Sequence, residues 1–142
     1  MKVNVDVHIN RPPADLFSFI SNFTNNPKWQ GGMVEAWYTT DPPLRTGSTW
    51  SQVVRFLGRR IESTFEVVEY QPGRLIKATT IKSLFPITVT RIVEPENDGS
   101  RMTAIVEGDV PGLFKLAEPL LTKQIKKRVE RDFQNLQRIL EH

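Results

Sequence analysis

The C-terminal segment constrains the fold more than any other part of the chain. Beyond Pro111–Gly112, apolar residues recur at Leu113, Leu116, Leu120, Leu121, Ile125, Val129, Phe133, Leu136 and Leu140. That spacing is helical over about eight turns, and Pro119 is expected to bend or interrupt the helix. A single helix of this length has no coiled-coil partner within the chain, so its apolar stripe must lie on a sheet. The preceding residues supply one. Residues 2 to 9, Lys-Val-Asn-Val-Asp-Val-His-Ile, alternate polar and apolar, the period of a strand with one wet face, and turn Val3, Val5, Val7 and Ile9 inward. Pro12–Pro13 then opens a short helix carrying Leu16, Phe17, Phe19 and Ile20, and a second helical turn ends at Lys28–Trp29. From Gly31 to Val110 the pattern predicts strands near 33–40, 47–57, 60–70, 74–82, 86–94 and 101–110, broken at Asp41-Pro42-Pro43, Gly58, Gln71-Pro72-Gly73, Phe85-Pro86 and Asn97-Asp98-Gly99. The order is strand, two short helices, six strands, long helix. It predicts an α+β domain in which a curved seven-stranded antiparallel sheet wraps a long C-terminal helix and leaves space between them.

Length and composition narrow the chemistry. At 142 residues the chain is read as one ligand-binding domain, 1–142, with no linker or repeat. Cysteine is absent, which excludes disulfide scaffolds, thiolate nucleophiles, zinc fingers and iron–sulfur clusters. There are two histidines, His8 and the terminal His142, too few to point to metal or triad chemistry. No spanning segment and no apolar leader at Met1–Asp6 is seen, so a cytoplasmic location is expected. The net charge of +3 is uneven. Residues 1–111 hold 12 Lys or Arg against 12 Asp or Glu, while residues 112–142 hold 7 against 4. This is a basic helix face, too small an excess for the multi-phosphate contacts of a nucleic-acid binder. Lys123, Lys126, Lys127, Arg128 and Arg131 read as its solvated side, with membrane-surface contact as the lesser reading.

The local wording resembles a known family. Val7-His8-Ile9-Asn10-Arg11-Pro12-Pro13-Ala14-Asp15-Leu16-Phe17-Ser18-Phe19-Ile20 and Asn26-Pro27-Lys28-Trp29 resemble the first strand and paired helices of the START and birch-pollen-allergen (SRPBCC) superfamily. Glu66-Val67-Val68-Glu69-Tyr70-Gln71-Pro72-Gly73-Arg74-Leu75 and the closing Val129 to Glu141 are similar to its bacterial polyketide cyclase/dehydratase-like branch. The resemblance covers nearly the whole chain and implies the helix-grip fold. Its motifs are structural punctuation, and the superfamily spans lipid carriers, hormone receptors and cyclases, so it implies no single reaction.

Strand parity supplies the candidate site. With Arg55 outside, Trp50, Gln52, Val54 and Phe56 face inward, as do Ile61, Ser63, Phe65 and Val67 opposite Glu62, Thr64 and Glu66. Ile76, Ala78 and Thr80 oppose Lys77, and Met102, Ala104, Val106 and Gly108 oppose Arg101, Thr103, Glu107 and Asp109. The strand near 86–94 is ambiguous, since either Ile87, Val89 and Arg91 or Thr88, Thr90 and Ile92 face in. His8 falls on the outer face. An inward Arg91 would demand a partner or an anionic ligand. On the helix, Leu113, Leu116, Ala117, Leu120 and Leu121 are expected to face the sheet, with Gln124 the polar residue near them.

These readings predict a binder of a small, largely apolar, lipid- or polyketide-like molecule, held by Trp50, Gln52, Val54, Ser63, Phe65, Thr80, Arg91, Met102, Leu116 and Leu120, with no cofactor and no metal. Gln52, Ser63 and Thr80 would orient a polar end. The enzymatic alternative is a polyketide cyclase/dehydratase, which needs an ionisable pair inside the cavity; Arg91 and, less directly, Glu35 or Glu69 are the candidates, and a pocket without a dedicated acid–base residue is expected. A protein-interaction module using the basic helix is the third reading, favoured if the cavity is filled by its own side chains.

Overall fold

The computed structural model describes residues 1–56 and 58–141; His142 lies outside them. Strand β1 (Lys2–Ile9) is followed by α1 (Pro13–Ser21), a 3-10 turn at Phe23–Asn25 and α2 (Asn26–Trp29). Six strands then run as a meander: β2 (Met33–Tyr38), β3 (Thr49–Phe56), β4 (Arg59–Gln71), β5 (Leu75–Lys82), β6 (Ile87–Glu96) and β7 (Gly99–Gly108). A 3-10 segment, Gly112–Ala117, leads into α3 (Glu118–Leu140). The sheet is antiparallel throughout in the order β1-β7-β6-β5-β4-β3-β2, so the first strand closes on the last. This is the helix-grip fold.

The alternations in the sequence reappear as faces. Val3 and Ile9 are buried while Lys2, Asn4 and Asp6 are exposed. In β4 the parity holds to Val67 and then changes: Val67 is paired with Ala78 but Glu69 with Lys77, so Val68 bulges outward and Tyr70 turns in to stack on Phe17 at 6.2 Å. In β6 the ambiguity resolves toward Ile87, Val89, Arg91 and Val93, because Arg91 lies opposite Ala104 of β7 and Ile76 of β5, both on the inner face. The fully buried Ile9, Leu16, Ile20, Val67, Val93, Met102 and Leu136 form the centre of the core. Helix α1 crosses β6 and β7, sealing that end of the sheet.

The C-terminal helix differs from expectation. Pro119 does not bend it; it sits in the first turn of α3, where a missing N–H costs nothing. The residues before it take 3-10 geometry, whose 3.0 residues per turn put side chains out of phase with the α-helical stripe. The docked stripe therefore starts later, at Leu121, and runs through Ile125, Val129, Phe133, Leu136 and Leu140. Leu113, Leu116 and Leu120 lie outside it and are 86%, 99% and 62% exposed, and Ala117 is exposed as well.

Candidate functional site

Beyond the part of the sheet that α1 seals, α3 stands off the sheet and leaves a cavity in two chambers. The inner one, about 100 Å³, is walled by Phe65, Ile76, Ala78, Val89, Ala104 and Val106 from the strands and by Val129, Asp132 and Phe133 from α3. Phe23, Asn26, Trp29, Gln30, Trp50, Gln52 and Arg91 complete it. The outer one, about 490 Å³, lies between β3 and α3 and is lined by Val54, Phe56, Gln124, Ile125 and the cations Arg55, Lys127, Arg128 and Arg131. Gln30, Gln52 and Asp132 border both.

One wall of the inner chamber is a stack of three aromatic rings. Phe23 lies on Trp50 at 3.7 Å and Trp50 on Phe65 at 5.0 Å, which fixes the Trp50 indole so that its Nε1–H donates to Gln52 Oε1 at 3.1 Å. On the helix side, Asp132 Oδ1 accepts the Gly31 N–H at 2.9 Å, Asn135 Nδ2 donates to Trp29 O at 3.3 Å, and Arg128 Nη1 donates to Gly31 O. These bonds lash the Trp29–Gly32 segment to α3. Glycine is required at position 32: its φ is 80°, and a Cβ there would come 2.7 Å from Arg128 Nη1 and 3.0 Å from Arg55 O.

The charged groups are the distinctive part. Arg91 is buried, and its Nη1 donates to Ile20 O at 3.0 Å and to Asn26 Oδ1 at 3.3 Å. Its guanidinium carbon lies 4.9 Å from the centroid of the Trp29 ring, a cation–π contact. Burial pulls its pKa down to about 10, partly offset by the attraction of Asp132. Asp132 is buried too, and desolvation pushes its carboxyl up to about 6 against the lowering effects of the Gly31 N–H, Arg128 and Arg91. Among the described residues no ion pair within 4.0 Å joins Arg91 to Asp132. Trp29 Nε1 and Gln30 Nε2, on two of the lining residues, are buried without a hydrogen-bond partner among the described residues.

The residues singled out from the sequence divide accordingly. Trp50, Gln52, Phe65 and Arg91 wall the inner chamber and Val54 the outer one. Met102 faces inward but is fully buried in the core, at the end of the sheet that α1 covers, and touches neither chamber. Ser63, opposite Gln52, is buried away from both chambers, and Thr80 Oγ1 is taken by the Ile87 N–H at 3.0 Å. Leu116 and Leu120 point to solvent because the docked stripe begins after them. Where no dedicated acid–base residue is expected, the structure brings two ionisable groups, Arg91 and Asp132, into one chamber; Glu35 and Glu69 are exposed. Asp132 escaped the sequence reading, although its position three residues after Val129 and four before Leu136 placed it on the docked face. His8 is on the outer face, bonded to Glu96 and Asn10.

Comparison with known proteins agrees with this architecture. The model of the family described as polyketide cyclase / dehydrase and lipid transport matches residues 1–141. A crystal structure from Thermus thermophilus is 15% identical, covers 97% of this chain and 95% of its own, and superposes with a TM-score of 0.83. A START superfamily protein from Mycobacterium smegmatis is 16% identical over 99% of this chain and 97% of its own, with a TM-score of 0.82. The di-domain ARO/CYC StfQ from the steffimycin biosynthetic pathway is 10% identical over 99% of this chain and 50% of its own, with a TM-score of 0.80. At such identities the likeness is one of fold. No curated protein matches the chain.

Proposed function

The chain belongs to the polyketide cyclase / dehydrase and lipid transport family, and from that premise we propose that it binds a small, largely apolar molecule between the sheet and α3. The observation that carries this reading is the inner chamber itself: an open space with mainly apolar walls in which the polar groups are few, buried and incompletely bonded. The aromatic stack and Val89, Ala104, Val106, Val129 and Phe133 would cover the apolar body of the ligand, and Gln52 and Arg91 its polar end. An open chamber also favours ligand binding over an interaction module built on the basic helix. The test is titration with the neutral fluorophore N-phenyl-1-naphthylamine, alongside native mass spectrometry for a co-purifying molecule. Saturable one-to-one binding, abolished by Val106→Phe in a variant that keeps its fold, is expected. Binding unaffected by that replacement refutes the site.

A second reading, a cyclase/dehydratase-type enzyme, is favoured by Asp132. A carboxyl titrating at about 6 is poised to exchange protons near neutral pH, and Arg91 could polarise a ketone oxygen in the same chamber. StfQ, by its description an ARO/CYC, has the same fold. Turnover of poly-β-ketone substrates that Asp132→Asn abolishes without loss of ligand affinity would establish it; absence of turnover in the wild type leaves the binder.

A further inference from the structure

The hydrogen-bonding inventory of the inner chamber is one-sided. A guanidinium has five N–H donors in a planar fork. In Arg91 the two on Nη1 are satisfied by Ile20 O and Asn26 Oδ1, while among the described residues those on Nε and Nη2 have no protein acceptor. Trp29 Nε1–H and the Gln30 amide, on two residues that line the same chamber, are buried donors with no acceptor among the described residues, and the Gln52 oxygen is already occupied by Trp50. Buried donors without acceptors are costly and rare, and two of them beside a cation whose free N–H edge has no acceptor among the described residues describe the outline of a missing acceptor.

We propose that the inner chamber is a carboxylate site, in which an apolar acid places its carboxylate on the free edge of Arg91 and draws in the unpaired N–H groups of Trp29 and Gln30 beside it. This rests on the binding reading above and specifies the ligand's polar end. A planar carboxylate matches the guanidinium fork through two parallel bonds, and it neutralises a buried charge that forms no ion pair among the described residues. A phosphate fits less well, because Asp132 borders the chamber and repels a dianion more strongly than a singly charged carboxylate. The approach is favourable as well. Arg55, Lys127, Arg128 and Arg131 line the outer chamber against the single carboxylate Asp132, so an anion is drawn toward the mouth.

The experiment compares 6-phenylhexanoate with its methyl ester by isothermal titration calorimetry at pH 7.5, in the wild type, Trp29→Phe and Arg91→Met. The acid is expected to bind at least tenfold tighter than the ester in the wild type. Trp29→Phe keeps a ring beneath the guanidinium and removes the N–H; it should cut the ratio of acid to ester affinity at least threefold. Arg91→Met should bring the two affinities together, and if it fails to fold, Trp29→Phe decides alone. Equal binding of acid and ester by the wild type, or an advantage untouched by Trp29→Phe, overturns the carboxylate site while sparing the cavity. If neither compound binds, the carboxylate site and the cavity reading fall together.

Discussion

Replacing Asp132 with asparagine removes a charge that the fold buries. In the folded chain its carboxyl is raised from the ordinary 3.8 to about 6, chiefly by desolvation. At 1.36 kcal/mol per pKa unit, ionising it costs about 3 kcal/mol more in the folded than in the unfolded chain, and water in the outer chamber reduces this to about 2 kcal/mol. The sign follows from linkage. A carboxyl whose folded pKa is raised stabilises the fold fully below 3.8, where both states are protonated, and that contribution is lost as pH rises through about 6. The asparagine cannot ionise, and its side-chain oxygen can still accept the Gly31 N–H. Urea titrations at pH 4, 6 and 8 should therefore find wild type and variant equal to within about 0.5 kcal/mol at pH 4 and the variant more stable by about 2 kcal/mol at pH 8, with unchanged m-values. A difference that does not vary with pH, or a variant less stable at pH 8, would show that attraction to Arg91 and Arg128 outweighs the burial and would refute the reasoning.

Phe133 is 2% exposed and lies 6.3 Å from the Trp29 ring, so Phe133→Ala should lower stability in urea by about 3–5 kcal/mol; a loss under about 1 kcal/mol would mean the side chain is not packed. Leu116→Ala, at 99% exposure, should change stability by no more than about 0.5 kcal/mol, and a loss beyond about 1 kcal/mol would put Leu116 in contact with the fold after all. The His8 imidazole should titrate above 6.5 by NMR, because its hydrogen bonds to Glu96 and Asn10 favour the protonated form, and Glu96→Gln should move it back down. No movement on that replacement would separate His8 from Glu96.

Periodicity reports which face a side chain occupies, and it carried the sequence reading far. Trp50, Gln52 and Val54 were legible from the exposed Arg55 one residue beyond, and His8 from its neighbours Val7 and Ile9. Periodicity says nothing about position along the sheet. Met102, Ser63 and Thr80 have the right parity and lie where α1, buried packing or the β5–β6 turn already uses them. Arg91 could not be assigned because each face of its strand mixes apolar and polar residues, Ile87 and Val89 with Arg91 on one and Ile92 with Thr88 and Thr90 on the other; pairing with Ala104 and Ile76 decides it. The leucines at 113, 116 and 120 continue a helical spacing across Pro119, and nothing local distinguishes a turn that docks from one that does not. Asp132 was hidden by composition: beside Arg128 and Arg131, an acidic residue reads as part of a solvated face, and its helical phase gives the stronger signal.

The closure of β1 on β7 also sets the order in which the chain can assemble. From β2 to β7 each strand pairs with its successor, so these pairings need only short loops to close. Lys2 pairs with Glu107 and Ile9 with Ser100, so β1 has no partner until most of the chain has been synthesised, and its pairing carries the largest loop-closure entropy in the sheet. α3, which follows β7 in the chain and packs on β1, is later still. Until they arrive, Phe65 and Ile76, which share the inner chamber with Val129 and Phe133 of α3, stand open on a half-built meander, the interval in which a nascent chain of this topology is most open to aggregation.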